Sequence, residues 1–151
     1  MKRFAALFLV VTLLDASPPP RAIDPAHSHA QFSVSHIWVE HVTGTIPIVD
    51  GSVTLEPGSL VPTAAAGTFD PAKVSTGEPD RDRSLASPDF FDAQKYPRWT
   101  FVSTSVVSKG GDAFEMDGEL TIHGVTRPVR LNASALGNPA HPEYRATGDS
   151  D

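Results

Sequence analysis

Hydrophobic and polar residues alternate with a period of two over much of the chain after residue 22. In the clearest run, residues 114–123, every even position is apolar or glycine and every odd position is polar. Such alternation is typical of a β-strand with one buried and one exposed face. Similar patterns, or a high content of Thr, Val and aromatic residues, predict six further strands: residues 31–38, 45–49, 52–55, 64–69, 99–107 and 129–135.

Turn-forming dipeptides separate several of these strands. Asp50-Gly51 lies between two short candidates and predicts a two-residue hairpin turn. Gly110-Gly111 and His123-Gly124 predict turns on either side of the clearest strand.

Helical spacing of apolar residues is not sustained for two turns anywhere after residue 22. The best helical candidate is residues 79–87, with Asp80 as its candidate N-cap. Short strands without alternating helices indicate an all-β antiparallel barrel or sandwich. A one-sided apolar pattern does not decide whether the interior is filled by side chains or holds a ligand.

The first 16 residues predict an export signal. Lys2 and Arg3 precede an apolar run over residues 4–14, which is shorter than the ~20 residues of a membrane-spanning helix and suits a signal peptide. An uncleaved anchor or a buried helix are the alternatives. We expect a periplasmic or secreted protein without stable membrane insertion after cleavage, divided into a signal peptide (1–16), a Pro-rich spacer (17–22) and one domain (23–151).

The amino-acid composition excludes several kinds of site and one class of partner. The chain has no cysteine, which excludes disulfides, thiolate metal sites and a thiol nucleophile. Its formal net charge is −6 and no cluster of Lys or Arg offsets that balance. Since nucleic-acid binding depends on neutralising phosphates with cationic side chains, no nucleic-acid partner is expected.

No enzyme motif is present in the sequence. It lacks a G-x-S-x-G elbow, a phosphate loop and a dinucleotide fingerprint, so we predict no enzyme activity, no catalytic residue, no cofactor and no metal. One alternative remains: His27 and His29, two residues apart, would share one face of a strand in a geometry that zinc accepts. That alternative is a metal-assisted enzyme.

Three motifs resemble the YceI-like family of exported lipid- or polyisoprenoid-binding domains. Residues 76–104 contain its TG, RD, DFFD, YP, TF and ST elements in order. Residues 24–44 fit its opening pattern of D, HS, F, V, H and G, and residues 118–129 fit its hairpin GELTIHGVTRPV. The resemblance implies a lipocalin-like antiparallel β-barrel with a short helical excursion around residues 79–92.

The resemblance also implies a function. Family members hold a long isoprenoid or another amphiphilic lipid in an apolar interior, so we expect a binding protein that sequesters or carries such a lipid in the bacterial periplasm. The other reading is a filled-core, stress-related structural module without ligand. The candidates for lining such an interior are inward-facing residues of the predicted strands: Phe32, Val34, His36, Trp38, Phe69, Phe101, Phe114, Met116, Leu120, Val129 and Leu131.

Each lining candidate would serve equally well in plain core packing, and His36 would be either a buried, hydrogen-bonded histidine or a contact for a ligand head group. The candidates for the mouth, near residues 76–92, are Arg81, Asp82, Phe90 and Phe91. Arg81 would pair with a carboxylate to fix the loop, or meet a phosphate. The two phenylalanines would bury their rings against the end of the barrel.

The carboxyl end departs from the family pattern. Residues 143–151 resemble the start of the penultimate family strand, and the closing turn and last strand do not follow. The resemblance therefore predicts that the last one or two strands are missing and that the barrel has two open edges. A homodimer that pairs through these edges is one expected consequence.

Overall fold

The computed structural model describes residues 17–36 and 40–148, with the side chains of residues 17–33 and 41–148. Within these ranges it contains eight β-strands and one α-helix, followed in chain order: β1 (Arg21–Ala22), β2 (His29–His36), β3 (Glu40–Leu55), β4 (Pro62–Phe69), α1 (Pro79–Ala86), β5 (Trp99–Gly110), β6 (Ala113–Ile122), β7 (Val125–Asn138) and β8 (His141–Gly148). None of the described helices is long and apolar enough to cross a bilayer.

All strand pairs are antiparallel. The strands follow the order β1-β3-β4-β5-β6-β7-β8, and β2 pairs with the first half of β3. The sheet curls into a half-barrel. At one end of it, Arg21 Nη1 in β1 donates a 2.8 Å hydrogen bond to the carbonyl oxygen of Pro139, in the turn between β7 and β8. This contact joins the first strand of the sheet order to the turn that precedes the last one. The all-β, lipocalin-like fold and the helical excursion are confirmed.

The predicted hairpin at Asp50-Gly51 is wrong. β3 runs through both residues, and Gly51 pairs with Gly67 of β4. Glycine is needed there because of packing: a Cβ on Gly51 would lie 2.8 Å from both the Ala66 carbonyl oxygen and Ile23 Cδ1. The dipeptide thus lies inside a strand, at a point where the adjacent strand and Ile23 come close to its backbone.

The turn at His123-Gly124 is confirmed, and the turn predicted at Gly110-Gly111 lies one residue later, at residues 111–112. His123 and Gly124 have φ angles of 53° and 74°, the pair of positive values that a two-residue type I′ hairpin requires. Gly110 and Gly111 likewise have positive φ, at 101° and 57°. In the helix, by contrast, the N-cap is Glu78, whose side chain accepts from the Asp80 amide. Asp80 lies in the first turn because Pro79 occupies the first helical position.

The strands bury their apolar faces in two clusters on the inside of the curl. Cluster A centres on Phe101, Phe114, Met116 and Ala135. Cluster B centres on Ile46, Val74 and Trp99, beneath the segment that contains α1. Phe69 packs against both clusters. Two residues assigned from sequence to the spacer, Arg21 and Ala22, form β1 and pair with Val53 and Ser52.

Candidate functional site

The candidate site is the concave, apolar face of the half-barrel. Phe114 and Met116 are 3% and 5% exposed, and the alternate residue Asp117 points to the outer face. Around this buried centre lies a rim of half-buried apolar side chains, which we call the trough rim: Leu60, Val61, Ala65, Phe69, Val106, Leu120, Val129, Leu131, Ala133 and Tyr144. These side chains are partly buried, so each keeps a part of its apolar surface accessible.

The structure brings most of the predicted lining residues together on this face. Phe101, Phe114 and Met116 form the centre of cluster A, and Phe69, Leu120, Val129 and Leu131 lie in its rim. Phe32 packs against cluster B. The side chains of Val34 and His36, and the whole of Trp38, lie outside the described parts of the chain. Contact of any of these residues with a ligand stays a prediction.

The outer face carries charged pairs beside two exposed valines, Val102 and Val107, which are 53% and 50% exposed. Arg130 donates to Asp117 through Nε at 2.7 Å and Nη2 at 3.1 Å, across directly paired residues of β7 and β6. The hydrogen bond from Arg130 lowers the pKa of Asp117, and the same contact raises the pKa of Arg130. This ion pair lies on the face of β6 opposite to the buried Phe114 and Met116.

The loop between β4 and β5 covers the cluster B end of the half-barrel. Arg81 donates from Nε to Thr76 Oγ1 at 2.8 Å and from Nη2 to the Thr76 carbonyl at 3.2 Å. Asp82 Oδ1 accepts from the Thr76 amide at 2.8 Å and from its hydroxyl at 2.6 Å. The predicted arginine–carboxylate link therefore runs through Thr76, and both charged groups hold the start of α1 against the preceding loop.

The two adjacent phenylalanines of this loop differ. Phe91 is half-buried and packs edge-on against Trp99, with ring centroids 4.8 Å apart, and against Phe32 at 6.4 Å. Phe90 is 56% exposed, so the expectation that both rings are buried is wrong for Phe90. The amide of Phe91 donates to the Leu85 carbonyl at 2.8 Å, and this turn directs only one of two consecutive rings inward.

A buried carboxylate at the start of the same loop was not recognised from the sequence. Asp70 is 6% exposed, accepts from the Ala72 amide at 3.2 Å, and lies 3.5 Å from Lys73 Nζ and 3.6 Å from Arg98 Nη1. The only signal for it is the Asp-Pro pair, which is typical of a helix start; here it begins a short 3-10 helix, Pro71–Lys73.

Asp70→Ala should lower the free energy of unfolding by about 1–2 kcal/mol, because the cap and two ion-pair partners are lost. Urea denaturation followed by circular dichroism measures this. Asp89→Ala is the control, since Asp89 is exposed in the same loop and should change stability by no more than ~0.5 kcal/mol. Equal losses in the two variants would contradict a capping role for Asp70.

Two buried polar atoms have no hydrogen-bond partner among the described residues: Trp99 Nε1 and Tyr144 Oη. They lie in clusters B and A respectively. Tyr144 was missed in the sequence analysis, although the alternation of Pro142 and Tyr144 with charged neighbours could have placed it on the inner face. Burial raises the pKa of Tyr144, and the charge of Arg21 opposes that rise.

The histidine pair does not form the geometry considered for zinc. His27 ends a 3-10 helix, Pro25–His27, and its Nδ1 lies 2.8 Å from Asp24 Oδ2, while His29 begins β2. The two residues thus belong to different elements, because Asp24 and Pro25 start a helical turn before the strand. Among the described side chains, no group of three or more His, Asp or Glu is placed to share a metal ion.

The best-formed depressions in the described surface are shallow. One of about 190 Å³ is lined by the middle of β3, β4 and β5, and one of about 570 Å³ is lined by residues that include Asp117 and Arg130 of the outer face. Phe101 of cluster A lines the first depression and Val129 of the trough rim lines the second, whereas Phe114 and Met116 line neither. We call the concave, apolar inner face of the half-barrel the trough.

Comparison with known proteins agrees with this architecture. A UPF0312 protein of Pseudomonas putida W619 is 37% identical over 148 aligned residues, which cover 93% of this chain and 76% of the relative. A UPF0312 protein of Vibrio cholerae serotype O1 is 33% identical over 117 residues, 78% of this chain and 62% of the relative. The chain thus spans less than two thirds of the length of the Vibrio protein.

Solved structures show the same fold. BcnA of Burkholderia cenocepacia superposes with a TM-score of 0.72 at 27% identity, covering 82% of this chain and 77% of BcnA. The YceI protein of Campylobacter jejuni superposes with a TM-score of 0.59 at 32% identity, covering 76% and 67%. The profile of the YceI-like domain matches residues 22–149. The chain therefore belongs to the YceI-like domain family.

Proposed function

We propose that this protein is an exported, non-enzymatic carrier that binds the apolar chain of an isoprenoid or another amphiphilic lipid in its trough. The observation that carries the proposal is the trough rim, in which ten apolar or aromatic side chains are only partly buried around a buried centre. The family resemblance and the predicted signal peptide support the lipid ligand and the periplasmic location.

The energetics favour such binding. Covering ~300 Å² of apolar surface at roughly 25 cal/mol per Å² contributes about 7.5 kcal/mol, before the cost of immobilising the chain. No charged residue is needed at the centre of the site, in agreement with the composition of cluster A.

A filled-core module without ligand is the second candidate. The packing of the Phe101 ring favours this candidate. The ring lies so close to Gly118 that a Cβ added to Gly118 would be 2.4 Å from Phe101 Cε2. At this level of the half-barrel, the interior is occupied by the chain itself. Mass spectrometry of organic extracts from natively purified protein distinguishes the two: a stoichiometric lipid supports the carrier, and a clean extract supports the filled core.

The trough can be tested with two matched leucines of β7. Leu131 lies in the rim, whereas Leu136 is 43% exposed beside the buried Ala135. Leu131→Ser should weaken binding of a long-chain lipid roughly tenfold, since a buried leucine contact is lost. Leu136→Ser should leave the dissociation constant within about twofold.

Titration against a fluorescent fatty acid measures both variants, and circular dichroism confirms that each one is folded. Equal dissociation constants for Leu131→Ser and the wild-type protein would place the ligand elsewhere and contradict the proposal.

A further inference from the structure

One end of the trough contains a hydroxyl without a partner. Tyr144 packs its ring edge-on against Phe114, with centroids 6.1 Å apart, and its Oη is buried with no hydrogen-bond partner among the described residues. Because burial raises the pKa of this phenol, it stays a protonated donor at neutral pH. An unpaired buried donor is unfavourable, so an acceptor oxygen supplied by a ligand would be stabilised there.

A cationic side chain lies at the same end. Arg21, exposed in β1, reaches the turn that leads directly into β8, the strand of Tyr144; its charge opposes the rise that burial causes in the pKa of Tyr144. One guanidinium nitrogen of Arg21 is bound to the Pro139 carbonyl at 2.8 Å. No carboxylate lies within 4 Å of Arg21 in the part of the chain that the structure describes. A guanidinium has five N–H donors in a planar fork, so Arg21 keeps donors for a further oxygen.

The opposite end of the trough differs in this respect. Arg81 is bound to Thr76, and Arg98 is bound to the Pro97 carbonyl and lies 3.6 Å from Asp70. Trp99 Nε1 is unpartnered there, but it is a neutral donor whose cationic neighbours are engaged. An anionic group is therefore favoured at the Arg21 end.

We infer that Arg21 and Tyr144 form a head-group subsite for an amphiphile that carries an anionic oxygen, either a carboxylate or a phosphate. The apolar tail then extends over cluster A along Leu131 and Val129. The inference rests on the proposed function, because it assumes that a tail occupies the trough. It places the head group where β1 meets the turn between β7 and β8, away from residues 76–92.

The test measures binding of three C16 probes to the full chain. The probes are hexadecyl phosphate, palmitate and hexadecyl methyl ether, each used as a monomer in solution. The wild-type protein should bind the two anionic probes roughly tenfold more tightly than the ether, since charge-assisted hydrogen bonds are the strong ones. Arg21→Gln should remove that preference, Arg21→Lys should retain part of it, and Tyr144→Phe should reduce it several-fold. Arg145→Gln, an exposed change on β8, is the control and should leave it unchanged.

The outcomes are distinct. If the anionic probes and the ether bind equally, or if Arg21→Gln and Tyr144→Phe both keep the wild-type preference, the subsite is wrong while the carrier function stands. If inorganic phosphate displaces hexadecyl phosphate at equal concentration, Arg21 is a site for free anions and the subsite is also wrong. If the wild-type protein binds none of the three C16 probes, the carrier function fails and the subsite fails with it.

Discussion

Phe114→Ala should lower the free energy of unfolding by about 3–5 kcal/mol, the usual cost of removing a buried aromatic ring. Phe114 is 3% exposed and is the centre of cluster A, where it contacts the ring of Tyr144. The cavity would lie on the concave face of β6, between β5 and β7, so neighbouring strands cannot close it without losing register. Urea denaturation followed by circular dichroism measures the loss.

Phe90→Ala is the matched control for that change. The same ring is removed, but Phe90 is 56% exposed, and the free energy of unfolding should change by no more than ~0.5 kcal/mol. A loss at Phe114 as small as that at Phe90 would show that cluster A does not stabilise the half-barrel.

Gly118→Ala should destabilise the protein by about 1–3 kcal/mol through overpacking. Gly118 is buried in β6, and an added Cβ would lie 2.4 Å from Phe101 Cε2 and 2.7 Å from the Val102 carbonyl oxygen. The ring can shift only within a packed cluster, and the carbonyl belongs to the paired strand β5. Thermal unfolding should therefore show a lower midpoint for this variant.

Gly67→Ala is the control for that prediction. Gly67 is also a strand glycine, but its added Cβ would meet only the Phe69 ring, at an ordinary contact distance of 3.7 Å. Reduced freedom of the unfolded chain should make this variant neutral or stabilise it by up to ~1 kcal/mol. Equal destabilisation by both changes would mean that loss of glycine, and not the contact with Phe101, is responsible.

The strands of the half-barrel were predictable because a one-sided strand has a local signature. β6 was predicted over residues 114–123 and observed as Ala113–Ile122, and the His123-Gly124 turn has the expected positive φ angles. Period-two alternation depends only on which face of the strand is buried. A type I′ turn depends only on its two central residues. The hairpin at Asp50-Gly51 failed because the same dipeptide allows close strand packing, and only the position of Ala66 and Ile23 distinguishes the two roles.

Some features of the candidate site were likewise predictable from the sequence, and others were not. The inward positions of Phe101, Phe114, Met116 and Leu131 follow from the alternation, and the structure gathers them in one cluster. Which of two adjacent rings in the loop is buried, Phe90 or Phe91, depends on a turn whose hydrogen bonds connect residues three to seven positions apart. Local patterns do not contain that information.

The amino-acid sequence by itself determined the all-β class, the main strands and the family, because each of these depends on short-range alternation or on motifs within a single segment. Only the tertiary structure decided where the chemistry lies. The contact of Arg21 with Pro139 and its effect on Tyr144 join positions more than a hundred residues apart, and the curl of the sheet alone brings them to one end of the trough. Burial and charge act through space and not along the chain. The Tyr144 hydroxyl is a candidate ligand contact only because the fold buries it without a hydrogen-bond partner among the described residues.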